Sequence, residues 1–191
     1  MKPRLVLASA SPRRQELLRS AGISFIVQAT NLPEIPRDGE APRACAERLA
    51  REKAEAVSRE RPDDYVLGAD TIVVVDDQVL GKPRDEADAA RMLGLLSGRT
   101  HQVITGVCLI GPRLGTGSVV VRSETTAVTM NPLTDDDIRH YVATGEPMDK
   151  AGAYAIQGLA SRWIPRIEGD YFNVVGLPLS LVWQMLREQG F

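Results

Sequence analysis

Cysteine and histidine are the scarcest chemistry-bearing residues in this 191-residue chain, with two of each. Cys45 and Cys108 lie far apart, and neither has a Cys or His at metal-binding spacing. This argues against a disulfide framework or a zinc site. Both read as small buried apolar side chains in a reducing compartment. His101 and His140 are isolated, with no Gly-x-Ser-x-Gly, His-Glu-x-x-His or Cys–His signature around them. A hydrolase built on this chain would therefore use carboxylates, cations and a metal rather than a triad. No stretch approaches about 18 consecutive apolar residues, so no transmembrane helix is expected. The apolar run Leu5–Ala8 behind the basic start is too short for a signal peptide, and a cytoplasmic protein is expected. No excess of one charge is present either: 23 Lys+Arg stand against 25 Asp+Glu, a net charge of −2. That argues against a general nucleic-acid binder, which would carry a strongly basic face. Only four of the cations are lysine: Lys2, Lys53, Lys82 and Lys150. Arginine, a planar fork, cannot replace lysine where a compact ammonium is needed, which marks Lys53, Lys82 and Lys150 as candidates for function.

What is present is ordinary globular material, 43% apolar and 25% charged with mixed sign. The length suits one domain over residues 1–191, with room for a modest lobe. Residues 4–8 read as a buried strand. Ser11 is an N-cap and Pro12 a first helical residue, for a helix stopping at Gly22. A short strand is predicted over Ile23–Gln28, a loop over 30–39 and a long helix over roughly 41–60. Tyr65–Val75 reads as a strand that turns at Asp76-Asp77-Gln78 into a short return strand at Val79-Leu80. Asp85 caps a helix over 86–97, closed by Gly98. Residues 101–110 and 118–130 pair as a hairpin across the Gly-rich turn Gly111–Gly117. Thr134 and Asp137 form a capping box for a helix ending at Gly145. Short strands and turns fill 151–176, and Pro178 opens a last helix. Alternating strands and helices, followed by clustered strands, predict an α/β fold with a mixed sheet.

Four motifs carry chemistry. Ser9-Ala10-Ser11-Pro12-Arg13-Arg14 leads from a strand into a helix N-terminus, where free amides, the helix dipole, two hydroxyls and two guanidinium groups suit phosphate. It is not a P-loop; the alternative is a capped surface helix. In Gly68-Ala69-Asp70-Thr71 a carboxylate interrupts an apolar strand. Burying it is costly unless it is paired or on a metal, so Asp70 is a general-base or magnesium-ligand candidate. The alternative is a solvent-facing bulge. Gly68 there permits close approach of another group to the backbone. Gly81-Lys82-Pro83-Arg84 follows the predicted return strand, which would lead Lys82 back toward the Asp70 end, as polyphosphate chemistry needs. In the stretch Asp149-Lys150-Ala151-Gly152-Ala153-Tyr154-Ala155-Ile156-Gln157-Gly158, the Gln157 amide is suited to the edge of a base; the alternative is a tight turn.

Together with Leu96-Ser97-Gly98-Arg99-Thr100-His101, these motifs resemble the Maf proteins, nucleoside triphosphate pyrophosphatases of the Maf/Ham1 type, from residue 5 to about 180. The resemblance implies a mixed, strongly curved sheet flanked by helices, with two lobes around a central cleft in the ITPase-like manner. It implies cleavage of a nucleoside triphosphate to the monophosphate and pyrophosphate with a divalent cation, Mg2+ or Mn2+. Asp70 matches the proton acceptor; Ser9, Ser11, Arg13 and Arg14 match the phosphate-gripping turn; Glu34, Lys53 and Lys82 match other polar residues of the cleft. Asp70 and Glu34 are the implied metal ligands. Arg13, Thr71 and Gln157 match positions of substrate choice. The Asp149–Gly158 motif resembles the branch acting on dTTP and UTP rather than that acting on 7-methyl-GTP. The resemblance also implies a homodimer acting on free nucleotides. A non-catalytic nucleotide-binding regulator of septum formation and a nucleotidyltransferase are the competing expectations.

Overall fold

A computed structural model describes residues 3–113 and 118–191. In chain order the elements are β1 (Leu5–Leu7), α1 (Pro12–Ser20), β2 (Phe25–Val27), α2 (Pro42–Ser58), β3 (Tyr65–Val75), β4 (Gln78–Leu80), α3 (Glu86–Leu96), β5 (Thr100–Ile110), β6 (Val119–Thr129), α4 (Asp135–Ala143), β7 (Arg166–Glu168), α5 (Tyr171–Val175) and α6 (Leu179–Glu188). The strands form a mixed seven-stranded sheet in the order β2-β1-β3-β5-β6-β7, with β4 paired to β3. The fold is α/β, as the element pattern predicts. β1 runs parallel to β2 and β3, while β4 and β7 run antiparallel to β3 and β6.

The local signals act where they were read. The Ser11 hydroxyl caps α1 by accepting from the Arg14 amide at 3.5 Å, and the Asp85 carboxylate caps α3 by accepting from the Asp88 amide at 2.7 Å. Thr134 and Asp137 form the full capping box of α4, which satisfies amide donors that the first turn leaves orphaned. The five-residue helix α5 lies in a stretch read as strands and turns. It is shorter than any window in which helical periodicity can be recognised. Part of the expected Gly111–Gly117 turn, residues 114–117, lies outside the described residues.

The chain divides into two compact units. The first comprises Met1–Asp70, Thr105–Glu124 and Gly176–Phe191. Its core sets Val6, Ala8, Val66 and Cys108 against Ala50, Ala54 and Val57 of α2. A Cβ placed on Gly68 would stand 2.2 Å from the Ala50 carbonyl oxygen, and one on Gly106 would stand 2.2 Å from that of Ala46. The helix backbone therefore lies directly on β3 and β5 along its alanine face, and any larger residue at either glycine would lift it.

The second unit comprises Thr71–Ile104 and Thr125–Val175. Leu93, Leu96, Tyr141 and Trp163 are among its core residues. Here β3 turns into β4 through Asp76 and Asp77, both at positive φ (48° and 60°), a turn geometry matched to strand twist. The register Val73–Leu80, Val74–Val79 and Val75–Gln78 leads Gly81-Lys82 back toward the Thr71 side of β3.

Candidate active site

The parallel pairing of β1 with β3 continues as the Ala8 amide donates to the Leu67 carbonyl at 2.8 Å. The Ser9 turn thereby leaves the sheet beside the segment that carries Asp70. Ser9 is buried, and its hydroxyl accepts from the Ser11 amide and from Arg14 Nη1, both at 3.2 Å. Arg14 Nε donates to the Gly176 carbonyl at 2.8 Å, so the guanidinium is oriented from two sides. The turn's amides are largely committed: Ser11 N–H bonds to Ser9, Arg14 N–H bonds to Ser11, and Pro12 has none. The backbone anion cradle expected from the sequence is correspondingly reduced.

Asp70 is 5% exposed and Lys53 6%. Lys53 Nζ lies 2.6 Å from Asp70 Oδ1 and 2.5 Å from Glu34 Oε1, one ammonium bridging two carboxylates. Burial pushes the Asp70 carboxyl above the usual carboxylate range; the neighbouring Lys53 and Arg14 charges oppose the shift. Burial likewise lowers Arg14, against the attraction of Asp70 and Glu34. A buried carboxylate whose proton affinity is raised yet balanced by cations is suited to take a proton from water. Asp70 is thus no solvent-facing bulge; it is buried and held on a specific cation.

The loop bearing Glu34 has no periodic pattern of its own and is tied down by Arg48. Nε and Nη2 of that residue form a fork on Glu40 at 2.6 and 2.7 Å, Nη1 lies 3.1 Å from Glu52 Oε2, and Nη2 also donates to the Ile35 carbonyl at 3.1 Å. Arg48 and Glu40 had no signal in the sequence beyond being charged.

In the second unit, Thr71 begins that unit's part of β3, and Lys82 follows Gly81, whose carbonyl accepts from the Gly152 amide at 3.0 Å. That bond joins the Lys82 segment to the turn carrying Gln157. Gln157 itself is exposed. Lys150 Nζ donates to the Glu146 carbonyl at 3.0 Å and pairs with Asp149, so it secures the turn from within. His101 Nε2 and the Tyr154 hydroxyl are 2.8 Å apart, and burial pushes the imidazole down to about 4. His101, enclosed on β5, packs edge-on against Tyr154 of the turn.

The model of a protein family, described as Maf-like protein, matches residues 4–189. The chain belongs to the Maf family. The resemblance read from its motifs is borne out. Among curated relatives of this Maf protein, the dTTP/UTP pyrophosphatase of Koribacter versatilis is 58% identical over 186 residues, covering 97% of this chain and 94% of that one. The dTTP/UTP pyrophosphatase of Symbiobacterium thermophilum is 55% identical over 187 residues, covering 98% and 94%. Among solved structures, the Staphylococcus aureus Ham1 protein aligns with 66% of this chain and 71% of its own at 16% identity and a TM-score of 0.47, a likeness that adds nothing to the family match. Among the described residues, no helix is long and apolar enough to cross a membrane.

Proposed function

We propose that this Maf protein is a nucleoside triphosphate pyrophosphatase acting on dTTP and UTP. The name carried by relatives at more than half identity supports the substrate class. The observation that carries the chemistry is the buried Asp70 carboxylate held on Lys53. Water attacks the α-phosphorus, its oxygen bonds to that atom, and its proton passes to Asp70. The bond between the α-phosphorus and the α,β-bridging oxygen breaks, and pyrophosphate leaves with that oxygen. Arg13, Arg14, Lys53 and Lys82 offset the charge of the triphosphate and of the departing pyrophosphate. Thr71 and Gln157 read the pyrimidine, with Arg13 contributing to the choice.

Asp70 and Glu34 are two hard oxygen donors meeting at one ammonium, a set that fits Mg2+ or Mn2+. Among the described residues no three His, Cys, Asp or Glu side chains gather into a full protein cage, which suits an ion completed by substrate phosphates and water. Asp70 and Glu34 would hold the ion, which would supply charge withdrawal from the triphosphate and acidification of water. The same reading carries a homodimer in the cytoplasm acting on free nucleotide, consistent with a net charge of −2.

Incubation of the purified chain with UTP and Mg2+, with products separated by ion-exchange chromatography, tests the proposal. UMP and pyrophosphate in equal amounts are expected. Tight binding without turnover would favour the regulator of septum formation instead, and UMP joined to a second molecule would identify a nucleotidyltransferase.

A further inference from the structure

Gln157 is exposed, yet the chain on both sides of it is held by one hydrogen-bonded arrangement. The Ala155 amide donates to the Tyr141 hydroxyl at 3.2 Å, and that hydroxyl donates to Glu146 Oε1 at 2.8 Å. The Leu159 amide donates to the same carboxylate, at 3.1 Å to Oε1 and 3.3 Å to Oε2. The Gly158 amide closes the intervening turn on the Ala155 carbonyl at 3.1 Å. A Cβ on Gly158 would stand 2.1 Å from Glu146 Oε1. Its φ of −102° is open to any residue, so a side chain there would displace the carboxylate rather than strain the backbone. The anchoring ring of Tyr141 is fixed in turn, packed edge-on against Trp163 with centroids 5.4 Å apart. One carboxylate and one phenol thus take the backbone amides that flank Gln157.

We propose that Glu146, acting with Tyr141, is the positioning residue that sets base selectivity, by holding the turn that presents the Gln157 amide. This rests on the pyrophosphatase reading. A carboxamide selects between bases only if its donor and acceptor stand at fixed places, because a wrong base is rejected by leaving a polar group unpaired. A loosened turn lets Gln157 follow either base. Selectivity then falls while the chemistry of Asp70 continues.

The test measures kcat and KM of the full chain for UTP and GTP, alongside affinities for α,β-imido-UTP and α,β-imido-GTP. The variants are Glu146→Ala, Tyr141→Phe and Gly158→Ala. Tyr141→Phe keeps the ring in the core and removes only the hydroxyl, so it serves if the others fail to fold. The expected result is a UTP-over-GTP preference reduced about tenfold, in kcat/KM and in analogue affinity alike, carried by KM rather than kcat. A merely structural role would lower both nucleotides in parallel, and that outcome, or an unchanged ratio, overturns the inference. A wild-type chain that binds the analogues selectively but does not turn over UTP overturns the pyrophosphatase reading, and the analogue ratios of the variants still decide the role of Glu146. A wild-type chain with no preference between the analogues overturns the inference directly.

Discussion

Arg48 and Lys53 lie on the same helix, and each gathers two carboxylates, yet the two clusters are built to opposite ends. Around Arg48 the planar fork matches Glu40, a third nitrogen reaches Glu52, and a carbonyl takes what remains of the fork's capacity. Hydrogen bonds from Arg48 pull Glu40 down to about 2. Around Lys53 a point charge bridges Glu34 and Asp70, and burial raises Asp70. A structural ion pair holds its carboxylate ionised with geometry to spare. A catalytic one leaves the carboxylate close to accepting a proton. The scarcity of lysine acquires a physical reason at this point: arginine serves where a fork fits, and lysine persists where one ammonium must stand between two oxygens.

The difference is tested most severely at the carboxylates. Asp70→Asn is expected to cut kcat for UTP by about 10²–10⁴-fold while nucleotide affinity stays near that of the parent. Near-normal pyrophosphate release from that variant would remove Asp70 from the mechanism and make the two clusters equivalent.

Exchanging the cations sharpens the same contrast at smaller amplitude. Lys53→Arg places a larger planar group in a site that is 6% exposed and displaces both carboxylates. Turnover is expected to fall by about 10²-fold, the scale of an ångström of misplacement at a reacting centre. Arg48→Lys loses the fork on Glu40 and the tether to Ile35. It is expected to cost about 1–3 kcal/mol in urea unfolding, with a fall in kcat well short of that for Lys53→Arg. Equal losses of turnover in the two variants would show that the helix carries one cluster rather than two.

Some of this was legible beforehand, and the reason differs by residue. Ser11, Asp85 and the Thr134–Asp137 pair act within a single turn, so local sequence reports them. Gly68 stood out because a glycine inside an apolar strand asks for a close neighbour, and the neighbour is the backbone of α2. Gly106 obeys the same rule in β5 and was open to the same reading. Glu34 entered only through the family resemblance, and its contact with Lys53 was not foreseen, because residues 30–39 have no period and are tied down by Arg48. Glu146 and Tyr141 were invisible: their roles come from hydrogen bonds to amides at 155 and 159, and a backbone amide leaves no mark on the sequence. The same holds for the committed amides of Ser11 and Arg14, which take up part of the anion cradle expected from the strand-to-helix motif.

The finest separation of the two clusters is by pH, since Asp70 and Glu40 are perturbed in opposite directions. Asp70 must be ionised to accept a proton, and burial raises it. The acid limb of kcat/KM is therefore expected above the ordinary aspartate value of about 3.9. Lys53 opposes that shift, so Lys53→Gln is expected to move the limb of the residual activity to still higher pH. Glu40 contributes in the other sense. Its folded value lies below its unfolded one, so it adds stability above about 4.3, and that contribution is lost as the pH falls toward about 2. Urea unfolding followed from pH 5 to pH 2 should then show the parent losing stability more steeply than Glu40→Gln, while the acid limb of activity stays in place in that variant. An acid limb that moved with Glu40→Gln and ignored Lys53→Gln would reverse the assignment, giving the catalytic proton to the cluster read here as structural.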